Sequence, residues 1–251
     1  MTGRREIVFG LPLDLMTMSE TIGEIVKRLD GGETCRHLVV NVPKALMAQE
    51  DDSLARAIRT ASIVNADGTW LAVGARLSGV DVPERFTGFD LMQGLMARAA
   101  TSGHSVYFFG ATDEVLSRMI EVYRGRFPGL EVAGSRNGYF TDDESHMIAE
   151  DIRSSRAEML FLGFPSPRKE TWLADHIDAT GVGFGMGVGG SFDVVAGLTK
   201  RAPVWVQQAG MEWLWRLAQE PRRMWRRYVL SAPPFFRLVL DERRQRRRGA
   251  D

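Results

Sequence analysis

The sequence has little cysteine and no long hydrophobic run. Cys35 is the only cysteine among 251 residues, which excludes an intramolecular disulfide and fits a reducing compartment. No apolar run approaches the roughly 20 residues of a membrane-spanning helix. The N-terminal stretch MTGRREIVFGLPLDLMT has no long apolar region, so we expect no signal peptide. The length suffices for one large domain or two small ones, and the composition is that of a globular protein.

Signals of common cofactor sites are also scarce. The four histidines are scattered without the spacing of metal ligands, and the phosphate-binding pattern GxxxxGK[ST] is absent. We therefore expect neither a histidine-based metal site nor a Walker phosphate loop.

Net charge is zero, but the charges are unevenly placed. From Lys200 onward there are 13 Lys and Arg against 5 Asp and Glu, which leaves 19 basic and 27 acidic residues in the rest of the chain. An acidic body with a basic, tryptophan-rich tail predicts that the tail meets an anionic partner.

Strand-like apolar runs alternate with amphipathic helical segments through most of the chain. Ser19 could cap a first helix, a helical stretch should run to about Ala61, and Thr141 with Glu144 matches a capping box. The expected strands are 37–41, 62–65, 105–109, 130–133, 158–162 and 181–184. This alternation predicts an α/β fold, with a mostly parallel sheet or sheets flanked by helices, in which ligands gather at the carboxyl ends of the strands.

Four loops at these strand ends are candidates for chemistry: 65–68, 109–112, 163–170 and 185–193. Asp67 follows an apolar strand and precedes a glycine, so its carboxylate should project from a loop. It could be a turn or helix-capping residue, or a general base. Ser166 and Pro167 predict a helix start, and the next two residues, Arg168 and Lys169, oppose the helix dipole. They could be solvated charges or could bind an anion such as a diphosphate.

The segment from Gly185 to Gly190 satisfies GxGxxG, a dinucleotide-binding pattern. It lies late in the chain, whereas the fingerprint should open the first strand–helix unit. The segment could still form a glycine loop close to a phosphate, but binding of a nicotinamide cofactor is disfavoured.

A series of short motifs runs along nearly the whole chain, in the order LVVNVPK, NADG, PERFTGFDLM, FFGAT, NGYF, LGFPSPRKETWL, GVGGSFDVVAG, KRAP and EWLWRLAQEPRRMWRRY. Taken together, these motifs resemble the WecG/TagA/CpsF family of bacterial glycosyltransferases. The resemblance implies a Rossmann-like fold in two subdomains and transfer of a sugar, with inversion, from a UDP-sugar to a polyprenyl-diphosphate-linked saccharide for cell-surface polysaccharide. The resemblance does not decide whether the donor sugar is N-acetylmannosamine, its uronic acid or glucose.

The resemblance also implies roles for residues. Asp67 would be the catalytic base, with Asn41 and Arg85 in the same pocket. Gly138, Tyr139 and Asp193 would contact the uracil. The diphosphate would lie near a further set: Gly110, Ala111, Arg168, Lys169, Glu170, Gly189 and Gly190. Three arginines of the tail, Arg216, Arg223 and Arg226, would lie over it.

Two positions depart from the family pattern, and one motif is missing. Val39 stands where many members have threonine, and Lys169 replaces an amide; both changes bear on the donor sugar. The sequence also lacks the Asp-x-Asp triplet with which many nucleotide-sugar enzymes hold a metal. We therefore expect no cofactor, and cations and helix N-termini would stabilise the leaving diphosphate.

The tail predicts an amphipathic helix after Pro221, with its arginines on one side and Trp225 and Tyr228 on the other. A helix packed on the body and a helix on an anionic membrane surface share this pattern. Nucleic acid is disfavoured, because an acidic body would repel it. The same apolar face could also serve a homo-oligomer.

We thus expect a catalytic core over 1–203 and a membrane-associating appendage over 204–251. Within the core, the acceptor side would cover about 1–100 and the UDP side about 101–203. The protein would act in the cytoplasm, at the inner face of the cytoplasmic membrane. Two rivals remain at this stage: a nicotinamide-dependent oxidoreductase and a non-catalytic membrane-recruitment module.

Overall fold

Six parallel strands form the central sheet, as seen in a computed structural model that describes residues 4–219, 221, 225 and 230–248, with 208 and 216 described by their backbone alone. The strands are β3 (Cys35–Val40), β4 (Ile63–Ala66), β5 (Val106–Gly110), β6 (Val132–Arg136), β7 (Met159–Gly163) and β8 (Phe184–Gly187), in the order β4-β3-β8-β7-β5-β6. All five neighbouring pairs are parallel. The predicted α/β class with a parallel sheet is confirmed.

Helices cover both faces of this sheet. In chain order they are α1 (Met18–Asp30), α2 (Val42–Met47), α3 (Asp52–Arg59), α4 (Thr69–Leu77), α5 (Gly88–Ser102), α6 (Asp113–Arg126), α7 (Ser145–Ser155), α8 (Arg168–Thr180), α9 (Ser191–Val195), α10 (Val204–Gln208), α11 (Glu212–Gln219) and α12 (Ala232–Arg248). Apolar residues of α1, α5, α6 and α9 belong to one core cluster, and those of α3, α4, α7, α8 and α12 to the other.

Strand side chains alternate between the two core clusters. In β5, Phe108 joins one cluster and Phe109 the other, as the two-residue period of a strand requires. Because both faces are covered, the strand is apolar at every position, which is why a continuous hydrophobic run identifies it.

Several predicted boundaries were wrong for local reasons. Thr17, not Ser19, caps α1 through a capping box with Glu20. The helical stretch after β3 is broken into α2 and α3, because Asp51 caps a new helix by accepting from the Leu54 N–H at 3.0 Å. Strand β8 begins at Phe184, where strand 181–184 was expected to end.

An N-terminal hairpin, which the sequence analysis did not predict, protects one edge of the sheet. It consists of β1 (Arg4–Val8) and β2 (Leu11–Leu15), joined at Phe9 and Gly10, both with positive φ as a tight hairpin turn requires. The Asp14 carboxylate accepts the Val64 N–H of edge strand β4 at 2.7 Å. The hairpin therefore occupies hydrogen-bonding groups that would otherwise be open to another chain.

The last described helix, α12, packs on the body. Phe235 and Val239 are buried in the core cluster of the α4 face, and the Phe235 ring meets Phe9 edge-on at 5.4 Å. A Cβ added at Gly74 would lie 2.5 Å from the Phe235 ring, so this glycine allows the close approach of α12 to α4. Phe235 and Val239 are therefore part of the core, while Phe236 and Leu240 of the same helix are exposed.

Candidate active site

The candidate residues are aligned along the carboxyl edge of the sheet. Each candidate stands at the end of one strand. Asp67 follows β4, Asn41 follows β3, and Gly189 and Gly190 follow β8. Arg168 to Glu170 open the helix after β7, Gly110 ends β5 with Ala111 after it, and Gly138 and Tyr139 follow β6. At about 4.8 Å between neighbouring strands, this row is roughly 24 Å long. The four candidate loops therefore lie along one edge of the sheet.

Asp67 is held at the end of its strand by backbone contacts. Its N–H donates to Val40 O at 2.7 Å, and it forms a parallel bridge with Phe86. Gly68 follows with φ +86°, which turns the chain into α4. The half-buried Asp67 therefore stands where a strand ends and a helix begins, which suits a carboxylate that must reach a ligand while its backbone stays fixed.

Asn41, on the neighbouring strand, caps α2. Its Oδ1 accepts the Lys44 N–H at 3.1 Å, which identifies the oxygen of the amide and fixes its rotamer. The amide nitrogen of Asn41 therefore remains a hydrogen-bond donor at the end of β3. Asp67 follows the neighbouring strand β4. Val39, two residues earlier, is buried in the core near Gly88, so its side chain does not face an open pocket.

Arg85 links the core to the segment that follows residue 203. Its guanidinium donates to Thr69 Oγ1 at 3.1 Å and to Gln207 O, and lies 4.0 Å from the Glu212 carboxylate. Together with Gly210 it lines a depression of about 230 Å³, somewhat below the usual range of ligand pockets. Arg85 thus lies beside the helix that starts just after Asp67 and contacts protein groups, and its place in one pocket with Asp67 stays a prediction.

The point where the sheet reverses its winding lies between β5 and β7. Helix α6 after β5 and helix α8 after β7 cover opposite faces, which leaves a crevice outside these two strand ends. Such switch points bind ligands in open α/β sheets.

Glycine is needed at this switch point. A Cβ added at Gly110, whose φ is +140°, would lie 2.5 Å from the Gly163 backbone, and one added at Gly138 would lie 2.9 Å from Gly110 Cα. Ala111 N donates to Gly163 O at 3.3 Å, and Ala111 O accepts from Gly138 N at 2.9 Å. The loops after β5 and β6 are thus closely packed, and Tyr139 beside them is 76% exposed.

The first turn of α8 contains a buried charge cluster. Glu170, 1% exposed, accepts at Oε1 from Lys44 Nζ at 2.7 Å, from Lys169 Nζ at 3.1 Å and from Ser166 Oγ at 2.9 Å. Lys44 Nζ also donates to Val39 O at 2.6 Å. Burial raises the pKa of the Glu170 carboxyl, but the two ammonium groups and the hydrogen bonds outweigh it, so this pKa lies below its ordinary value.

This cluster shows that one expectation about the loop was wrong and excludes one of the two alternatives for Lys169. Ser166 does not cap α8, because Pro167 occupies the cap position and Ser166 Oγ bonds to Glu170. Lys169 is 6% exposed, so it is not a solvated charge. Arg168 lies over the Phe140 ring at 3.8 Å and donates to Asp142 at 2.8 Å, so its guanidinium is held by the loop after β6.

The glycine pattern at 185–190 does not form a dinucleotide fingerprint. Gly185 and Gly187 lie within β8, so the expected loop starts only at Val188. A Cβ at Gly185 would be 2.6 Å from Leu173 of α8, and one at Gly187 would be 2.8 Å from Lys169 Cδ. Because they lack a Cβ, these glycines leave room for side chains of α8 to pack against β8. Asp193 lies in the short helix α9, where its carbonyl accepts from Leu198 N at 2.9 Å.

The appendage arginines are only partly covered by the structure. Arg216 lies in α11, described by its backbone, while Arg223 and Arg226 and the predicted sidedness of the helix after Pro221 fall outside the described residues. The start of the appendage is anchored to the core, since Arg201 contacts Asp90 at 2.6 Å and Glu212 at 3.5 Å.

Within the described ranges, no group of three or more His, Cys, Asp and Glu could hold a metal ion. None of the described helices is long and apolar enough to cross a membrane.

Sequence reasoning missed two buried residues of this region. Lys44 gave no usable signal, because it lies in the last turn of the short helix α2, where a cation is compatible with the helix dipole. His37, in the middle of β3, donates through Nε2 to Asn65 Oδ1 at 2.9 Å. Its spacing from the other histidines gave no signal.

Together, the parallel sheet, its switch point and the row of strand-end loops define a Rossmann-like α/β protein with a candidate ligand site along the carboxyl edge. The model of the glycosyl transferase WecG/TagA/CpsF family matches residues 6–249, so the chain belongs to this family of glycosyltransferases. A relative from Bacillus spizizenii is 33% identical over 187 residues, covering 74% of this chain and 71% of the relative. That protein is an N-acetylglucosaminyldiphosphoundecaprenol N-acetyl-beta-D-mannosaminyltransferase.

Proposed function

We propose that this glycosyltransferase moves a sugar, with inversion and without a metal ion, from a UDP-sugar to a polyprenyl-diphosphate-linked saccharide that is used for cell-surface polysaccharide. The observation that carries the proposal is the placement of Asp67 and Asn41 on neighbouring strands, at the same edge as the glycine-lined switch point. The family membership supports the reaction type, and the relative's name supports the diphosphate-linked acceptor.

Asp67 is the general base in this proposal. Its carboxylate takes the proton of an acceptor hydroxyl while that oxygen bonds to the anomeric carbon of the donor. The bond from that carbon to the UDP oxygen breaks on the opposite side and the electron pair leaves with UDP, which inverts the anomeric centre. Asn41 orients the reacting sugar through its amide N–H groups, since its oxygen is engaged by the Lys44 N–H. Arg85, which donates to Thr69, would lie on the same side of the site as Asp67.

The donor would lie along the rest of the edge. The diphosphate would be near Gly110, Ala111, Gly189, Gly190, Arg168 and Lys169. Of the two cations, Arg168 is the more exposed and can meet the charge directly, whereas Lys169 is buried beside it. The uracil would contact Gly138, Asp193 and the exposed ring of Tyr139. Arg216, Arg223 and Arg226 would approach the diphosphate from the appendage.

The relative's activity makes N-acetylmannosamine the first donor to test, ahead of its uronic acid and glucose. A panel of the three UDP-sugars, assayed with a short-chain polyprenyl-diphosphate N-acetylglucosamine, separates them. Calorimetric titration with UDP and with NAD separates the proposal from the oxidoreductase alternative. Binding of NAD without binding of UDP would contradict the proposal.

Asp67→Asn tests the catalytic base. We expect kcat to fall roughly 10²- to 10⁴-fold with little change in the KM of the donor, because the amide cannot accept the proton. Asp52→Asn, on the exposed first turn of α3, is the matched control and should retain wild-type kcat. Full transfer activity in Asp67→Asn would remove Asp67 from the role of base.

We also propose that the protein acts at the cytoplasmic face of the membrane and meets it at the start of the appendage. Trp205 is 65% exposed, Val204 and Leu214 are exposed nearby in the chain, and exposed Trp70 contacts Trp213 edge-on at 6.1 Å. Exposed tryptophans beside a basic segment are typical of proteins that lie on anionic membranes.

Trp205→Ser tests this surface. It should weaken binding to phosphatidylglycerol vesicles by roughly 10-fold or more in a sedimentation assay, because an indole no longer enters the interface. Val122→Ser on α6, also an exposed apolar residue, is the control and should bind as the wild type does. Equal binding by wild type and Trp205→Ser would contradict the assignment. Substitution is preferable to deleting 204–251, which would also remove Phe235 and Val239 from the core.

A further inference from the structure

The ion pair between Lys44 and Glu170 joins two separate parts of the carboxyl edge. Lys44 follows β3 and Glu170 follows β7, while β8 lies between these strands. The pair therefore spans two strand spacings, roughly 10 Å, above the end of β8. Gly187, the last residue of β8, leaves room there for the stem of Lys169 beside the pair.

A set of hydrogen bonds, joined through the side chain of Lys44, runs through this pair. Asn41 Oδ1 accepts from the Lys44 N–H at 3.1 Å, Lys44 Nζ donates to Glu170 Oε1 at 2.7 Å, and Ser166 Oγ donates to the same oxygen at 2.9 Å. It connects the residue beside Asp67 to the loop that opens α8. Glu170 and Lys44 are buried, so they act on a ligand through the groups they hold.

Stability alone gives little reason for this arrangement. Removing two charges from water costs several kcal/mol per ion, and an apolar pair of the same volume is often as stable. A buried ion pair does, however, specify one relative placement of the elements that carry it. Here those elements are α2, which begins at the Asn41 cap, and α8, which begins beside Ser166.

We propose that Lys44 and Glu170 are positioning residues that fix the Asn41 amide, and with it the acceptor side of the site, relative to the donor loop at 163–170. This inference rests on the proposed function and adds to it a residue, Lys44, to which the family resemblance gave no role. It also changes the role of Glu170 from a ligand contact to a support for α2.

The test uses the full chain with Lys44→Met, Glu170→Gln and the double variant. Lys44→Met keeps the apolar stem and leaves Glu170 paired with Lys169 and Ser166. We expect kcat to fall roughly 10- to 100-fold, with the KM of the donor changing less than about 3-fold, because a displacement near 1 Å is enough for such a loss. The double variant should lose no more kcat than the more affected single variant, since both substitutions break one contact.

Urea denaturation of each variant separates positioning from folding. If the pair is only structural, kcat of the folded fraction stays at the wild-type value, and this result would overturn the inference. Additive losses of kcat in the double variant would overturn it as well. The control is Glu24→Gln with Arg28→Met, which removes a part-buried pair of α1, joined at 2.9 Å, and should leave kcat unchanged.

Hydrogen exchange without substrate gives a reading that does not depend on the proposed function. In Lys44→Met the backbone N–H of position 44, which donates to Asn41 in the wild type, should exchange at least about 10-fold faster, while amides of β5 keep their protection. Unchanged exchange at Lys44 would overturn the inference. If the wild type transfers sugar from none of the UDP-sugars, the proposed function fails and this measurement alone decides the inference.

Discussion

At the scale of single residues, His37 shows how the interior of the sheet constrains a titratable group. Asn65 donates to Asp14 O through its Nδ2, so its Oδ1 must accept, and His37 Nε2 carries the proton of their hydrogen bond. Nδ1 is buried without a hydrogen-bond partner in the described part of the chain. The pKa of His37 is lowered to about 4: burial, the largest effect, lowers it, the bond to Asn65 raises it and the charge of Lys44 lowers it.

This shift predicts a dependence of stability on pH. The folded-state pKa of about 4 is below the ordinary value of 6.5, so between these values the unfolded chain binds more protons than the folded one. Stability should therefore fall as pH drops from 6.5 to 4, by up to about 3 kcal/mol from this group. In His37→Gln, which can still donate to Asn65, the pH dependence of the free energy of unfolding in urea should be shallower over this interval. Equal slopes for wild type and variant would contradict the assignment.

At the scale of the elements, the contact between β5 and β7 determines the geometry of the switch point. Gly110→Ala should destabilise the protein by roughly 2 to 6 kcal/mol, because the new Cβ meets the Gly163 backbone at 2.5 Å and φ is +140°. Thermal and urea denaturation measure the loss. Gly125→Ala in α6 is the control: its Cβ would meet nothing within 4 Å, and it should stabilise by about 0.5 to 1 kcal/mol. Equal stability of the two variants would contradict this account.

The elements also show where sequence reasoning worked and where it failed. Strand β5 was identified from one continuous apolar run, because burial on both faces leaves no polar position to interrupt it. The start of β8 was misplaced, because the glycines at 185 and 187 resemble a loop. These two glycines leave room for the side chains of Leu173 and Lys169, which come from α8. That role depends on how the helix packs on the strand, which no local pattern records.

At the scale of the whole molecule, α12 connects the end of the described chain to its beginning. Glu242 accepts the Phe9 N–H at 3.0 Å, and Arg246 lies 3.4 Å from Glu6 of the hairpin. Phe235 fills the space between Phe9 and Gly74. The far end of the appendage therefore contributes to the core, while exposed Trp205 lies at its start.

Phe235→Ala should lower the free energy of unfolding by about 3 kcal/mol, because it leaves a cavity between α12, α4 and the hairpin. Phe236→Ala is the matched control: that neighbouring ring is 61% exposed, and its loss should change stability by less than about 0.5 kcal/mol. Equal effects of the two substitutions in urea denaturation would show that α12 does not pack as described.

The sequence by itself determined the α/β class, the family and the loops in which the candidate residues lie. These features depend on local periodicity and on short motifs, so Asp67, Asn41 and the loops after β5 and β6 were found without coordinates. Only the tertiary structure decided that Glu170 is buried against Lys44, that Arg168 is held by Asp142, and that α12 is part of the core. Lys44 and Glu170 are 126 positions apart in the chain, and no local pattern records which distant side chain a buried charge will meet.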